Sequence, residues 1–354
     1  MGTSSIMANS DSQQHRDYIT VINAFAALSV VALHCNSCFW FGPAQGRSWY
    51  TSNIIETTLF CAVPLFFMIT GVTLLDYRKR MSTLVYLKKR VEKTVVPFFV
   101  WSIVSLVWAI IVPWKGVGDD KSITAVISAL INYRYCPVYW FFPPLFAIYL
   151  SIPILSLIEN KELACKYISC IGILFVSSVP FSCSLLGITW NQAYTPPLVA
   201  GYLMYPAIGW VIDHERPSPN VSRWVYIAGI VGWAMQLIGV FITSTSDGVN
   251  RIFKGYVNLP AVMQSCALFL MFRSIDWRNG VVATRIRVLC EKLSSLTFGV
   301  YLTHWFVIDF VLHVIKVNEQ SIIWRTAGAI AVYSFCSCLT FLLKRIPIIR
   351  HVVP

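Results

Sequence analysis

Charge is what this chain has least of. Only 12% of its 354 residues are Asp, Glu, Lys or Arg, while 56% are hydrophobic. Soluble domains usually carry about 25% charged residues. With a mean hydropathy of +0.64, no water-soluble core has room for this much apolar surface, and lipid is the solvent that remains. Linkers rich in Gly, Pro or Ser are missing as well. The expected organisation is therefore one membrane domain over 18–343, with a polar cytoplasmic tail at 1–17 and a short basic one at 344–354. The stretch MGTSSIMANSDSQQHRDY has no basic n-region leading into an early apolar run. It is expected to stay uncleaved, with the first apolar segment acting as the insertion signal. No similarity between the two halves of the chain is apparent.

Long apolar runs, by contrast, are abundant. They fall at roughly 18–40, 51–75, 94–113, 138–158, 167–187, 196–213, 224–243, 258–275, 294–315 and 323–343. Each approaches the ~20 residues a helix needs to cross ~30 Å of hydrocarbon. The expected fold is all-α, a polytopic bundle of about ten transmembrane helices with both termini cytoplasmic. The segment 114–137 reads as an external loop with a short interfacial helix. The net charge of +12 forms no stripe suited to nucleic acid, and none is expected as a partner. With the 76–93 loop inside, 20 of the 28 Lys and Arg residues fall on the cytoplasmic side, as the positive-inside rule requires. The aromatic excess, 14%, suits anchors at two membrane interfaces.

Of eleven cysteines, Cys61, Cys170, Cys183, Cys266, Cys336 and Cys338 lie in apolar runs, where thiols behave as small hydrophobes. Cys35, Cys38 and Cys136 share the outer side, where an oxidising exterior leaves one disulfide open to them. His34 and Cys38 have i, i+4 spacing but no further clustered ligands, so no metal is expected.

Polar residues inside apolar helices carry the information. An ionisable group at a helix centre costs about 2.5–3.5 kcal/mol and generally faces the bundle interior. In VINAFAALSVVALHCN, Asn23 and His34 are eleven residues apart, on one face and about 16 Å from each other. His34 is either an interfacial histidine bonded to a neighbouring helix or a proton-transfer group, for which a pKa near 6.5 suits it. Glu56 opens the second segment, and Pro64 interrupts it. SSLTFGVYLTHWFVIDFVLH carries His304, Asp309 and His313, the last two placed to pair at i, i+4.

These residues sit in blocks that resemble the acyltransferase-3 family of multi-pass membrane acyltransferases. His34 matches the histidine of its opening block. CAVPLFFMITGVTLL resembles the second block, with Thr70 where Ser is commoner. YLKKRVEKTVVPFFVWSI looks like the third, VYWFFPPLFAIYLSIPIL the fourth, and SSLTFGVYLTHWFVI the late Gly-x-Tyr-Leu-x-His block. Two departures stand out. Thr20 and Asn23 occupy the positions of the family's aspartate and arginine, and Asn cannot supply the charge of Arg. The loop's Arg-x-x-Arg appears as Arg90-x-x-Lys93.

The resemblance implies transfer of an acyl group, most often acetyl, from cytoplasmic acetyl-CoA or another acyl-CoA. The acceptor would be a hydroxyl on a cell-surface or exopolysaccharide glycan, or on its lipid-linked precursor, at the plasma (inner) membrane. Arg90 and Lys93, with Asn23, would form the donor site, since phosphates favour charge-assisted hydrogen bonds. Arg78, Lys79 and Arg80 are assigned to topology. His34 would act as general base, with Glu56 orienting its imidazole, or would carry the acyl group itself. Trp140, Tyr149, Tyr301 and His304 would line the substrate path, and Trp49, Trp114 and Trp190 offer rings for a sugar. The alternative is a secondary transporter or flippase with His, Asp and Glu as a proton relay, a class that commonly shows internal repeats.

Overall fold

A computed structural model describes residues 2–354 except 43, 45, 116–117, 119–121 and 216, with backbone alone for 2–15. Among the described residues it is helical throughout, apart from one isolated bridge between Thr245 and Gly248. Eight helices are long and apolar enough to cross a membrane. They are α1 (Arg16–Phe41), α2 (Arg47–Lys79), α3 (Thr83–Ile111), α4 (Pro137–Leu155), α5 (Lys161–Leu185), α7 (Pro219–Thr243), α9 (Thr297–Ile315) and α10 (Trp324–Leu343). Large side chains such as Ile110, Ile230 and Ile242 stay exposed on the outside of the bundle. In water that surface would be untenable, and in hydrocarbon it is the ordinary exterior.

The other two expected segments are shorter than a full crossing. α6 (Met204–His214) has 11 residues and α8 (Leu259–Ser274) has 16. At 1.5 Å per residue, α6 is only about 16 Å long, half the hydrocarbon thickness. The stretch expected to begin it, 196–203, instead forms a short 3-10 turn at Pro197–Val199 and a left-handed Gly201. Prolines 196 and 197, which cannot donate to a helix, explain the late start. α6 is buried within the bundle: Met204, Tyr205 and Ala207 are almost fully shielded.

Close helix crossings rest on glycine. A Cβ on Gly71 would lie 2.0 Å from the carbonyl oxygen of Pro206, and one on Gly209 would lie 2.4 Å from that of Met68. α2 and α6 therefore meet backbone to backbone, the small-residue contact that membrane helices favour. The short helix expected between α3 and α4 is present as Ile123–Ile131.

The helix that carries the first apolar run begins as early as Gly2. The C-terminal tail packs back on the bundle. Trp101 donates to the Val352 carbonyl at 3.0 Å, and Val353 is fully buried. No disulfide joins Cys35, Cys38 and Cys136, and all eleven cysteines are free thiols. Arg216, counted among the cytoplasmic cations, lies outside the described residues.

At the end of the bundle that carries the basic loop, charges are paired. Asp76 meets Lys161 at 2.7 Å and the indole of Trp210 at 3.1 Å. Asp17 holds Arg278 at 2.5 Å, and Tyr18 donates to Asp213. Arg78 reaches the Ser156 hydroxyl at 2.7 Å, and Arg80 the Thr73 carbonyl at 2.5 Å. These two arginines thus have structural partners.

Candidate active site

His34 of α1 and His304 of α9 lie face to face, their ring centroids 5.1 Å apart and their planes 8° from parallel. His304 is fully buried, and its Nδ1 is 3.1 Å from the Val300 carbonyl. A carbonyl only accepts, so Nδ1 carries the proton and Nε2 keeps its lone pair. That Nε2 has no hydrogen-bond partner. The bundle thus buries an imidazole with its basic nitrogen free, an arrangement that costs energy unless something else uses it. His34 opens onto a tight cavity with Val63, Phe66, Trp140, Tyr256 and Tyr301. It has about 20 Å³ of room for a solvent centre, roughly one water.

Three of the expected path residues converge here. Tyr301 packs against His304, with centroids 5.7 Å apart, and donates to the Val138 carbonyl at 2.5 Å. Trp140 stacks on Tyr256 at 5.3 Å. Tyr256 was not singled out in the sequence. It comes from the loop between α7 and α8, and its backbone carbonyl accepts from Tyr205. Nothing in its local pattern distinguishes it from an interfacial tyrosine. Tyr149, the fourth, is elsewhere: the guanidinium of Arg90 lies over its ring at 5.4 Å and over that of Tyr86 at 5.8 Å.

Glu56 does not orient His34. Its carboxylate accepts from Asn36 Nδ2 at 3.1 Å and from Trp40 Nε1 at 3.0 Å, so it fastens the C-terminal turns of α1 to α2. The nearby Lys254, also buried, donates to the Thr57 hydroxyl at 2.7 Å. Burial pushes the Lys254 ammonium below the usual lysine range, while the Glu56 charge acts in the opposite direction. Burial is the larger effect because a desolvated cation loses its hydration shell. Asp309 and His313 do pair, at 3.5 Å. Asp309 also accepts from Trp108 at 2.8 Å and Trp114 at 3.0 Å, with Lys115 at 3.2 Å.

A second group forms at the other end of the His34 helix. Asn23 Nδ2 donates to the hydroxyls of Ser294 and Thr297, each at 3.1 Å. One residue on, the Ser295 carbonyl accepts from Lys344 at 2.6 Å. Burial lowers the Lys344 pKa, and the nearby positive charge of Lys93 lowers it further. Asn23, Lys93 and Lys344 thus share one neighbourhood, about three helical turns from the histidines. Lys344 was legible in the sequence only as a topology charge, because the fold alone carries it back to α1. Among the described residues no cluster of three metal-ligating side chains occurs.

A polytopic helical bundle with two stacked histidines on separate helices, one fully buried and one half-buried, and a cation group at one end, defines a multi-pass membrane protein with an internal polar site. The profile of the acyltransferase-3 family, described as an acyltransferase domain, matches residues 16–343. The chain belongs to that family, and its class is membrane acyltransferase. No curated protein and no solved structure matches it.

Proposed function

We propose that the protein transfers an acyl group, acetyl by preference, from a cytoplasmic acyl-CoA to a hydroxyl of a surface glycan or its precursor. The observation that carries the reading is the stacked His34–His304 pair inside the bundle, with His304 fully buried and His34 half-buried. In this reading the chain makes ten crossings at the plasma membrane, with both termini inside. The basic bias supports that orientation, and α6 and α8 count as the two short members.

The donor would enter from the cytoplasmic end, its phosphates held by Arg90, Lys93 and Lys344. Lys344 would supply the cation that Asn23 lacks, since both reach the Ser294–Thr297 turn. The thioester would then lie beside His34. As the acceptor oxygen attacks the carbonyl carbon, His34 takes its proton. The C–S bond breaks, the new ester forms, and the proton passes to the departing thiolate sulfur. His304, with Nε2 free, is the second base in reach, and Trp140 and Tyr301 line the approach. Glu56 acts as a positioning residue through Asn36 and Trp40.

Positioned proton transfer is typically worth about 10²–10⁴ in rate. Purified protein should consume acetyl-CoA with release of thiol, and His34→Ala should lower that rate by at least a hundredfold. If wild type releases no thiol with any acyl-CoA while a glycolipid still crosses liposomes carrying it, the chain is a transporter and the reading fails.

A further inference from the structure

The segment 244–258 between α7 and α8 is drawn into the bundle rather than laid over it. Phe253 and Lys254 are both buried. Lys254 donates to the Thr57 hydroxyl at 2.7 Å, and its ammonium lies over the Phe60 ring at 5.0 Å. A buried ammonium is costly unless it is paired or hydrogen-bonded. Here the hydroxyl and the nearby Glu56 charge supply that compensation. Asn258 closes the segment on itself by donating to the Ile252 carbonyl at 2.6 Å.

Two residues past Lys254, Tyr256 is held on three sides of its geometry. Its ring stacks on Phe60 with centroids 4.3 Å apart and planes 7° from parallel. It also stacks on Trp140 at 5.3 Å, and its carbonyl accepts from Tyr205. Packing needs only the ring, which phenylalanine would supply equally well. The hydroxyl is therefore surplus to the fold, and among the described residues it has no hydrogen-bond partner.

Tyr256 lines the same cavity as His34. With about 20 Å³ of room, roughly one water, that cavity brings any group beside His34 within reach of its other walls. Four lining side chains carry a polar hydrogen: His34, Trp140, Tyr256 and Tyr301. The Tyr301 hydroxyl is spent on the Val138 carbonyl, and His34 is the base. Of the two donors left, a phenol is more acidic than an indole and bonds an anionic oxygen more strongly. Attack on a thioester creates such an oxygen, and donors already in place for it are commonly the largest single contribution to catalysis.

We infer that Tyr256 is a further catalytic residue, its hydroxyl donating to the thioester carbonyl oxygen as negative charge develops there. The inference rests on the proposed function. When the acceptor oxygen adds to the carbonyl carbon, the C=O π pair moves onto oxygen. The phenol keeps its proton and stabilises that oxyanion by hydrogen bonding. Collapse restores the C=O bond and breaks the C–S bond, and the thiolate takes the proton held by His34. Lys254 is a positioning residue that acts through Phe60 and Tyr256.

The test is thiol release from acetyl-CoA by the detergent-purified full chain. Tyr256→Phe should lower kcat by about 10²–10³, the usual cost of one such donor, with KM within twofold and an unchanged unfolding temperature. Infrared difference spectra of bound acetyl-CoA, labelled with ¹³C at the carbonyl, should place its stretch at higher frequency in Tyr256→Phe than in wild type. Lys254→Met should lower kcat at least tenfold, yet cost less than threefold once Tyr256 is Phe, because both changes remove one interaction. A kcat for Tyr256→Phe within threefold of wild type, or an unmoved carbonyl band, overturns the inference and leaves the transferase reading standing. A band that moves in Trp140→Phe but not in Tyr256→Phe overturns it as well, by assigning the bond to the indole. Absence of thiol release from wild type overturns both.

Discussion

The crossing of α2 and α6 allows a stability effect to be worked out from geometry. In Gly209→Ala the new methyl would lie 2.4 Å from the Met68 carbonyl oxygen and 2.7 Å from its Cα. Carbon–oxygen contacts in packed backbones settle at about 3.3–3.6 Å, so the two helices must part by about 1 Å. A gap of that size forfeits a quarter to a half of the dispersion energy at each contact along the seam. Overpacking of this kind costs about 1–3 kcal/mol. Gly71→Ala should cost more than Gly209→Ala, because its methyl would overlap the Pro206 oxygen at 2.0 Å. The same helix presents Val63 and Phe66 to the His34 cavity, so activity should fall together with stability. The assay is thermal unfolding in detergent, followed by tryptophan fluorescence, beside thiol release from acetyl-CoA. Ile230→Ala, on the lipid-exposed surface, serves as the control. If Gly209→Ala unfolds at the temperature of Ile230→Ala and keeps full activity, the helices do not depend on backbone contact and the reasoning is refuted.

Two other predictions concern the donor end. Lys344→Ala should raise the KM for acetyl-CoA about tenfold or more with a smaller change in kcat, because it removes a cation from the proposed phosphate site and none from the histidines. An unchanged KM would remove Lys344 from that site. Asn23→Arg alone should lower activity at least tenfold, since a guanidinium must displace the clamp to Ser294 and Thr297 and crowd Lys93 and Lys344. In the Lys344→Ala background the same change should restore part of the lost affinity. Faster turnover by Asn23→Arg in the otherwise wild-type protein would show that this site simply lacks its arginine.

Hydrophobic run length is a local quantity, and it was enough to read an all-helical membrane chain with most of its spans. It failed at α6, where prolines 196 and 197 delay the helix and neighbouring helices supply the burial that length does not. Polar residues in apolar context marked His34, His304, Tyr301 and Trp140, since an imidazole in hydrocarbon needs a reason to be there. Their convergence on one cavity is a matter of which helix faces turn inward. The same limit explains Glu56. Its place at the start of the second run was legible and its burial was not, and its partners are Asn36 and Trp40, which lie further along α1 than His34.

What the amino-acid order alone determined was the solvent, the helices, the family blocks and the two histidines. The tertiary structure decided which distant residues share a site. It stacked His34 on His304 across 270 positions and brought Lys344 to the turn that Asn23 holds. Periodicity fixes the face a residue occupies on its own helix, whereas the neighbour of that face depends on how every other helix packs.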